Sequence, residues 1–146
     1  MTAQDVINLN ENVIRSWNDH DVEKFQSYCD TKIVWNDVAY PKPFNGREGA
    51  KTFFNQWLTA FPDLKIKVQN TIANENSIAC EIEFTGTNTG TLLLGDGNSI
   101  PATRKKVTSK GTYFGKVRDG KFTQVNTYPD MIGMMMQLGL MHEMHA

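Results

Sequence analysis

Apolar residues recur at steps of three and four along the first stretch of the chain, at Val6, Leu9, Val13, Ile14 and Trp17. That spacing predicts a helix over residues 4–17 with one buried face. The polar run Asn18-Asp19-His20-Asp21 interrupts it, and Asp21 supplies an N-cap for a short second helix over residues 22–29. Residues 32–38 are rich in β-branched and aromatic side chains and read as a strand, which Pro41, Pro43 and Gly46 end in a loop. A third helix starts at Asn45, with Glu48 three residues on in the manner of a capping box, and Pro62 stops it. Phe53, Phe54, Trp57, Leu58 and Phe61 give this helix an aromatic face.

Beyond Pro62 the period shortens to two. Leu64, Ile66, Val68 and Ile72 alternate with polar positions, as do Ile78, Cys80, Ile82 and Phe84, so two strands each bury one face. Asn74-Glu75-Asn76 is the turn between them. Residues 85–103, rich in Gly, Thr and Asn, read as a long loop with frayed strand ends. Residues 105–118 and 121–128 are two further strands joined by Asp119-Gly120, a strong hairpin signal. Asp130 caps a last helix running from Met131 to about Leu140. Helices first and strands after imply an α+β fold, with a curved antiparallel sheet wrapped around the N-terminal helices and a cone-shaped hollow between them. No repeat or linker divides the 146 residues, so 1–146 reads as one domain.

Charge and composition then remove function classes. Fifteen basic and sixteen acidic residues leave a net charge of -1, without the basic surplus that a nucleic-acid or anionic-membrane partner requires. A hydrophobic fraction of 40% and a charged fraction of 21% argue against disorder. Cys29 and Cys80 make no disulfide framework and lack zinc-type spacing. The opening residues do not resemble a signal peptide, and no stretch approaches the roughly 18 apolar residues of a membrane helix. The expectation is a soluble, cytoplasmic protein.

Several segments together carry a resemblance. They are Trp17-Asn18, Gly46-Arg47-Glu48-Gly49-Ala50, Ala60-Phe61-Pro62-Asp63-Leu64, Phe84-Thr85-Gly86-Thr87-Asn88-Thr89-Gly90, Ile100-Pro101-Ala102-Thr103, Asp119-Gly120-Lys121, and Asp130 seven residues before Gln137-Leu138-Gly139. In order and spacing the chain resembles the SnoaL-like polyketide cyclases of the nuclear transport factor 2-like (cystatin-like) superfamily, over nearly its whole length. The resemblance implies an α+β cone, commonly a homodimer through the open sheet, that binds a small hydrophobic substrate with no metal and no cofactor. It implies an intramolecular aldol ring closure in which an Asp at the position of Asp130 is the general acid/base. Two alternatives stand beside it: a ketosteroid-isomerase-like isomerase or dehydratase with Asp37 as base, and a non-catalytic binding protein of the same fold. The Arg-x-Asp of the limonene epoxide hydrolase branch does not occur here.

Asp130 also stands out by its surroundings. Even-numbered Gln124, Asn126, Tyr128 and Asp130 are expected to share one face, and Met131, Ile132, Met134, Met135 and Met136 follow. Apolar neighbours of this kind disfavour a charged carboxylate and bring proton exchange towards neutral pH; the competing reading is a plain helix cap. On the earlier strand Trp35 and Asp37 share one face and Asn36 takes the other. Either Asn36 or Asp37 holds a substrate oxygen, or Asp37 simply opens the turn. The cyclases often carry His near this point; this chain has Asn36 and Asp37 instead. Trp17, Trp35, Trp57, Tyr113 and Tyr128 are expected around a flat ligand, with Asn126 and Tyr128 orienting it and Phe54 and Phe61 left to the core. His20 lies in a polar turn, Arg104 at a rim or in solvent, and His142 and His145 read as chain-end residues instead of a metal pair.

Overall fold

Thr2 opens the first helix, α1 (Ala3–Asn18), with reciprocal hydrogen bonds: Asp5 N–H donates to Thr2 Oγ1 (3.1 Å) and Thr2 N–H to Asp5 Oδ2 (2.8 Å). The computed structural model describes residues 1–141, so His142 and His145 lie outside the described residues. Asp21 caps α2 (Val22–Ser27) by accepting from Lys24 N–H, as its position predicts. The chain continues through β1 (Cys29–Asp37), β2 (Phe44–Asn45) and α3 (Gly46–Ala60), then β3 (Lys65–Ala73) and β4 (Ser77–Thr87). A small hairpin of β5 (Leu92–Leu93) and β6 (Ser99–Ile100) precedes the long β7 (Lys106–Arg118), β8 (Lys121–Pro129) and the closing α4 (Met131–Gln137). No helix among the described residues is long and apolar enough to cross a membrane.

Six strands form one curved sheet in the order β2-β1-β8-β7-β4-β3. Four of its five ladders are antiparallel; β1 and β8 run parallel. That departure from an all-antiparallel sheet has a simple origin. Most of the chain separates β1 from β8, so no hairpin dictates their relative direction. The parallel pairing matters, because it sets the C-terminal ends of β1 and β8 side by side.

Helices α1 and α3 lie on the inner face, α3 against β1 and α1 against β3. Trp17, Phe25 and Phe54 meet there with ring centroids 4.3 Å apart for Trp17–Phe54 and 4.8 Å for Phe25–Phe54. Such pairs add about 0.5–1.5 kcal/mol each beyond the area they bury. Phe54 and Phe61 are fully buried and away from the cavity, as expected of core residues.

Three expectations about local structure need correction. Asn45 precedes α3 but makes no side-chain cap hydrogen bond; its backbone is extended and pairs with Val34 as part of β2. Residues 85–103 are largely loop as read, but they carry the β5–β6 hairpin and are organised by Asn88: its Nδ2 donates to the carbonyls of Ala60 (3.0 Å) and Gly90 (2.9 Å), and its Oδ1 accepts from Thr103 N–H (2.8 Å). Ile72 is 78% exposed instead of buried. Pairing jumps from Val68↔Ile82 to Asn70↔Glu81, leaving Gln69 as an extra residue, and a bulge of one residue turns every later side chain to the opposite face. Thr123 does the same in β8, where Lys116↔Gln124 is followed by Val117↔Phe122. By contrast the Asp119-Gly120 turn forms as read, with both residues at positive φ (53° and 75°), the conformation of a two-residue hairpin.

Candidate functional site

A cavity of about 120 Å³ lies between the helices and the concave face of the sheet. Its inner walls are aromatic and aliphatic, with Trp17, Phe25, Trp35, Phe53 and Val125 prominent. Lys110 and Asp130 are the exposed members of its lining and mark the open end.

One row of paired residues crosses the sheet at the level of the cavity. Asp37 on β1 pairs with Thr127 on β8, Thr127 with Tyr113 on β7, Tyr113 with Cys80 on β4, and Cys80 with Thr71 on β3. Directly paired residues point to the same face, so five side chains with polar or sulfur-bearing ends form a stripe across an otherwise apolar surface. Neighbouring strands lie about 4.8 Å apart, which puts the Cα atoms of Asp37 and Tyr113 on the order of 10 Å from each other.

Asp37 is only 3% exposed. Thr127 Oγ1 donates to its Oδ2 (2.7 Å) and Ala39 N–H to its Oδ1 (2.8 Å). Burial pushes the carboxyl up from its ordinary range, and these two hydrogen bonds oppose the shift without cancelling it. Tyr40 N–H donates to the Asp37 carbonyl (3.0 Å), and the Tyr40 hydroxyl donates to the Leu93 carbonyl (2.9 Å), so the turn after Asp37 is fastened to the β5–β6 hairpin. Burial first and the Asp37 charge second push the Tyr40 phenol up to about 12. Gly95 permits this approach, since a Cβ there would lie 1.9 Å from the Ala39 carbonyl oxygen.

In the middle of the row the Tyr113 hydroxyl donates to Asn10 Oδ1 in a short hydrogen bond. Asn10, 1% exposed, points its amide towards Cys80 Sγ (3.9 Å). Burial raises the Tyr113 phenol well above its ordinary value, Cys80 adds to the rise, and the Asn10 hydrogen bond works against it. Cys29, also in the cavity wall, is pushed up to about 12 by burial, with Arg47 and Lys121 opposing. It is a thiol at neutral pH and a poor nucleophile.

Of the residues singled out from sequence, Trp17, Trp35, Trp57, Tyr113, Asp37 and Asp130 border the cavity. Asn36, Asn126 and Tyr128 do not: they stand on the outer face, where Asn36 Nδ2 donates to Asn126 Oδ1 (3.0 Å) and Tyr128 is 48% exposed. The bulge at Thr123 explains Asn126 and Tyr128, while Asn36 simply alternates with the inward Trp35 and Asp37 on β1. Phe122 and Val125 both point inward, so beyond the bulge odd-numbered Val125 and Thr127 face the cavity and even-numbered residues face out. The register left open at Asn36 and Asp37 falls to Asp37. Asp130 is exposed at the mouth, and its Oδ1 accepts from Gly133 N–H (2.9 Å) as the cap of α4. The apolar residues following it do not desolvate it, because they start a helix whose Ile132 is itself 65% exposed. His20 is partly buried, its Nε2–H donating to the Leu64 carbonyl (2.8 Å), and Arg104 is exposed and away from the cavity lining.

Asn10 and Thr127 were not anticipated. Asn10 could have been found as the polar residue inside the buried stripe of α1, among Val6, Leu9 and Val13. Thr127 carries no such signal, since the bulge hides its direction.

The family model for SnoaL-like polyketide cyclases matches residues 7–138. The chain therefore belongs to the SnoaL-like polyketide cyclase family. No curated protein matches it. Among solved structures it is similar to AclR from Streptomyces galilaeus, at 21% identity over 99% of this chain and 87% of that one, with a TM-score of 0.82. TsrD from Streptomyces laurentii is similar at 20% identity, over 97% and 99% of the two chains, with a TM-score of 0.81. A protein of ketosteroid isomerase-like fold from Catenulispora acidiphila, in complex with trimethylamine, shares 11% identity over 94% and 97%, with a TM-score of 0.76. At these identities the structures establish the common fold.

Proposed function

We propose that this single-domain SnoaL-like protein is an acid/base enzyme acting on a small hydrophobic carbonyl compound, most like an intramolecular aldol cyclase, with Asp37 and not Asp130 as the group that moves the proton. One observation carries this reading: the 3%-exposed Asp37 carboxyl borders an apolar cavity, two paired residues away from the Tyr113 phenol. Its raised pKa brings the charged and protonated forms closer in energy, which suits a group that must take and return a proton. Asp37 removes a proton from the carbon beside the carbonyl. The oxygen that becomes the enolate receives the Tyr113 O–H, which exchanges Asn10 Oδ1 for a more strongly charged acceptor. After attack of the enolate carbon on a second carbonyl, the protonated Asp37 gives its proton to the new alkoxide. A well-placed donor to a developing oxyanion is worth about 2.7–4 kcal/mol.

Exchange of deuterium from D2O into the methyl group of acetophenone, followed by proton NMR, tests the first step without the natural substrate. The wild-type protein is expected to accelerate exchange over buffer, and Asp37→Asn to return it to background while its circular dichroism stays native. Equal exchange in wild type and Asp37→Asn would remove the mechanism, and no acceleration by the wild type would leave a binding protein.

The reading extends to a homodimer through the outer sheet face. There Asn36, Asn126, Phe114, Ala79 and Ile72 form a continuous row, which ends on the exposed Ile72. A charged Ile72→Asp variant is expected to sediment as a monomer where the wild type sediments as a dimer. A cytoplasmic setting suits the two free, buried thiols of Cys29 and Cys80.

A further inference from the structure

The two oxygens of the Asp37 carboxyl meet partners of different kinds. Oδ1 takes the Ala39 N–H (2.8 Å) and Oδ2 the Thr127 hydroxyl (2.7 Å). A backbone N–H only donates, and the chain fixes its direction. A hydroxyl donates one hydrogen, accepts on its lone pairs, and turns about its C–O bond to suit. The oxygens are therefore not equivalent as proton carriers. A proton on Oδ1 would weaken the acceptor that the Ala39 N–H requires, whereas a proton on Oδ2 finds an acceptor in Thr127 Oγ1.

For that exchange of roles the Thr127 hydrogen needs a second acceptor. The Asn36 carbonyl oxygen supplies it, 3.4 Å from Thr127 Oγ1. Register puts these groups together: the parallel ladder pairs Asp37 with Thr127, and the bulge at Thr123 turns Thr127 inward. Thr127 lines the cavity and Ala39 does not, so Oδ2 is the carboxyl oxygen on the cavity side. Tyr40 from the turn and Tyr113 from the row are the titratable side chains that face Asp37, and burial keeps both phenols neutral. Burial, Thr127 and the Ala39 N–H account for the shift of Asp37, and no charge on β2, β8, α2 or α3, the elements packed against β1, contributes to it.

We infer that Thr127 is a positioning residue for Asp37, a two-way hydroxyl that donates to the carboxylate, accepts from the carboxylic acid, and so makes Oδ2 the oxygen that carries the proton. The inference rests on the proton chemistry proposed above. When the substrate C–H bond breaks, its electron pair passes to the enolate and its proton to Oδ2. The Thr127 O–H turns from Oδ2 to the Asn36 carbonyl and keeps its own hydrogen; the return of the proton reverses the turn. A buried carboxyl with a donor-only partner on each oxygen would be satisfied in one state and unpaired in the other.

Two variants test this. Thr127→Val keeps the shape and removes the hydroxyl; Thr127→Ser keeps the hydroxyl and removes the methyl. Carbon-13 NMR of aspartate-labelled protein follows the Asp37 carboxyl, assigned by its loss in Asp37→Asn, and acetophenone deuterium exchange is measured across the same pH range. In Thr127→Val the carboxyl is expected to titrate at higher pH than in wild type, because its charged form loses the stronger of its partnerships. Exchange at pH above both midpoints is expected to fall about tenfold for want of orientation, although a stronger base alone would hold or raise it. Thr127→Ser is expected to titrate as the wild type does and to exchange within about twofold of it. A Val plateau at or above that of wild type would reduce Thr127 to a modifier of charge, and a Ser variant as slow as Val would reduce it to packing; either overturns the inference. An unmoved midpoint in Thr127→Val, with exchange still abolished by Asp37→Asn, defeats the inference and spares the chemistry. A raised midpoint in a protein whose wild type accelerates no exchange defeats the chemistry and leaves the hydroxyl assignment standing.

Discussion

Asp37 and Asp130 occupy similar places and meet opposite fates. β1 and β8 are parallel neighbours, so the aspartate that ends one and the aspartate that follows the other lie at the same end of the paired strands. Asp37 is still within its ladder, on an inward position, and is sealed against the cavity by Thr127 and Ala39. Asp130 has left the ladder, and the helix that starts at Met131 takes up its carboxylate as a cap in solvent. Apolar neighbours in sequence therefore say little about desolvation. Strand parity and the point at which pairing stops decide it.

The largest effect should separate the two carboxylates by activity. Asp37→Asn is expected to lower ketone deuterium exchange by about 10²–10⁴-fold, the usual contribution of a positioned acid/base, while Asp130→Asn stays within about threefold of wild type. Initial exchange rates by NMR measure both. A reversal of the two would return the proton to Asp130.

How much of this contrast the chain announces depends on the element. The buried stripe of α1, the cap at Asp21, the Pro62 stop and the Asp119-Gly120 turn follow from local chemistry and appear as read. The alternation in β3 and β8 is also genuine, yet Gln69 and Thr123 each insert one unpaired residue. Neither position has a residue type that demands a bulge, so unbroken alternation places Ile72, Asn126 and Tyr128 on the wrong face. The parallel contact of β1 with β8 is decided by packing between segments far apart in the chain, and no local pattern records it. Asp37 was legible as half of a pair with Asn36; only the register of β1 against β8 chooses between them.

Next in size is Tyr113→Phe. It leaves the ring in place and removes the donor two strands along the row from Asp37, so exchange should fall by about 10²-fold with little change in acetophenone affinity. Unaltered exchange would leave Asp37 acting without an oxyanion donor and weaken the link between Asp37 and Tyr113 along the row.

Stability against pH gives a smaller effect with a definite sign. Burial raises the Asp37 carboxyl, so the folded protein holds that proton more tightly than the unfolded chain. Between the ordinary carboxyl range near 4 and the raised value of Asp37 the folded state binds more protons, and stability falls as pH rises through that window. Asp37→Asn lacks this term. The stability of the variant relative to wild type should rise with pH across the window and level off above it. Asp5 and Asp63 contribute in the opposite sense. The backbone hydrogen bonds of Thr2 and Thr87 hold them below their usual range, and they lose stability as pH falls. They are common to both proteins and cancel in the difference. Urea unfolding at a series of pH values measures it, and a flat difference would contradict the desolvation of Asp37.

The smallest effect is the one that best isolates Asp130. A helix cap needs an acceptor oxygen, which Asn supplies as well as Asp does, whereas a proton-transfer group needs a titrating carboxyl. Asp130→Ala is expected to lose about 1 kcal/mol of stability in urea unfolding, because Gly133 N–H loses its partner, and Asp130→Asn only a few tenths of that. Were Asp130 the proton carrier, the order would invert for activity: Asn and Ala would be equally inactive, whatever their stabilities. The Asn variant thus separates an oxygen that accepts a backbone hydrogen bond from a carboxyl that exchanges a proton, the same distinction that burial draws between Asp130 and Asp37.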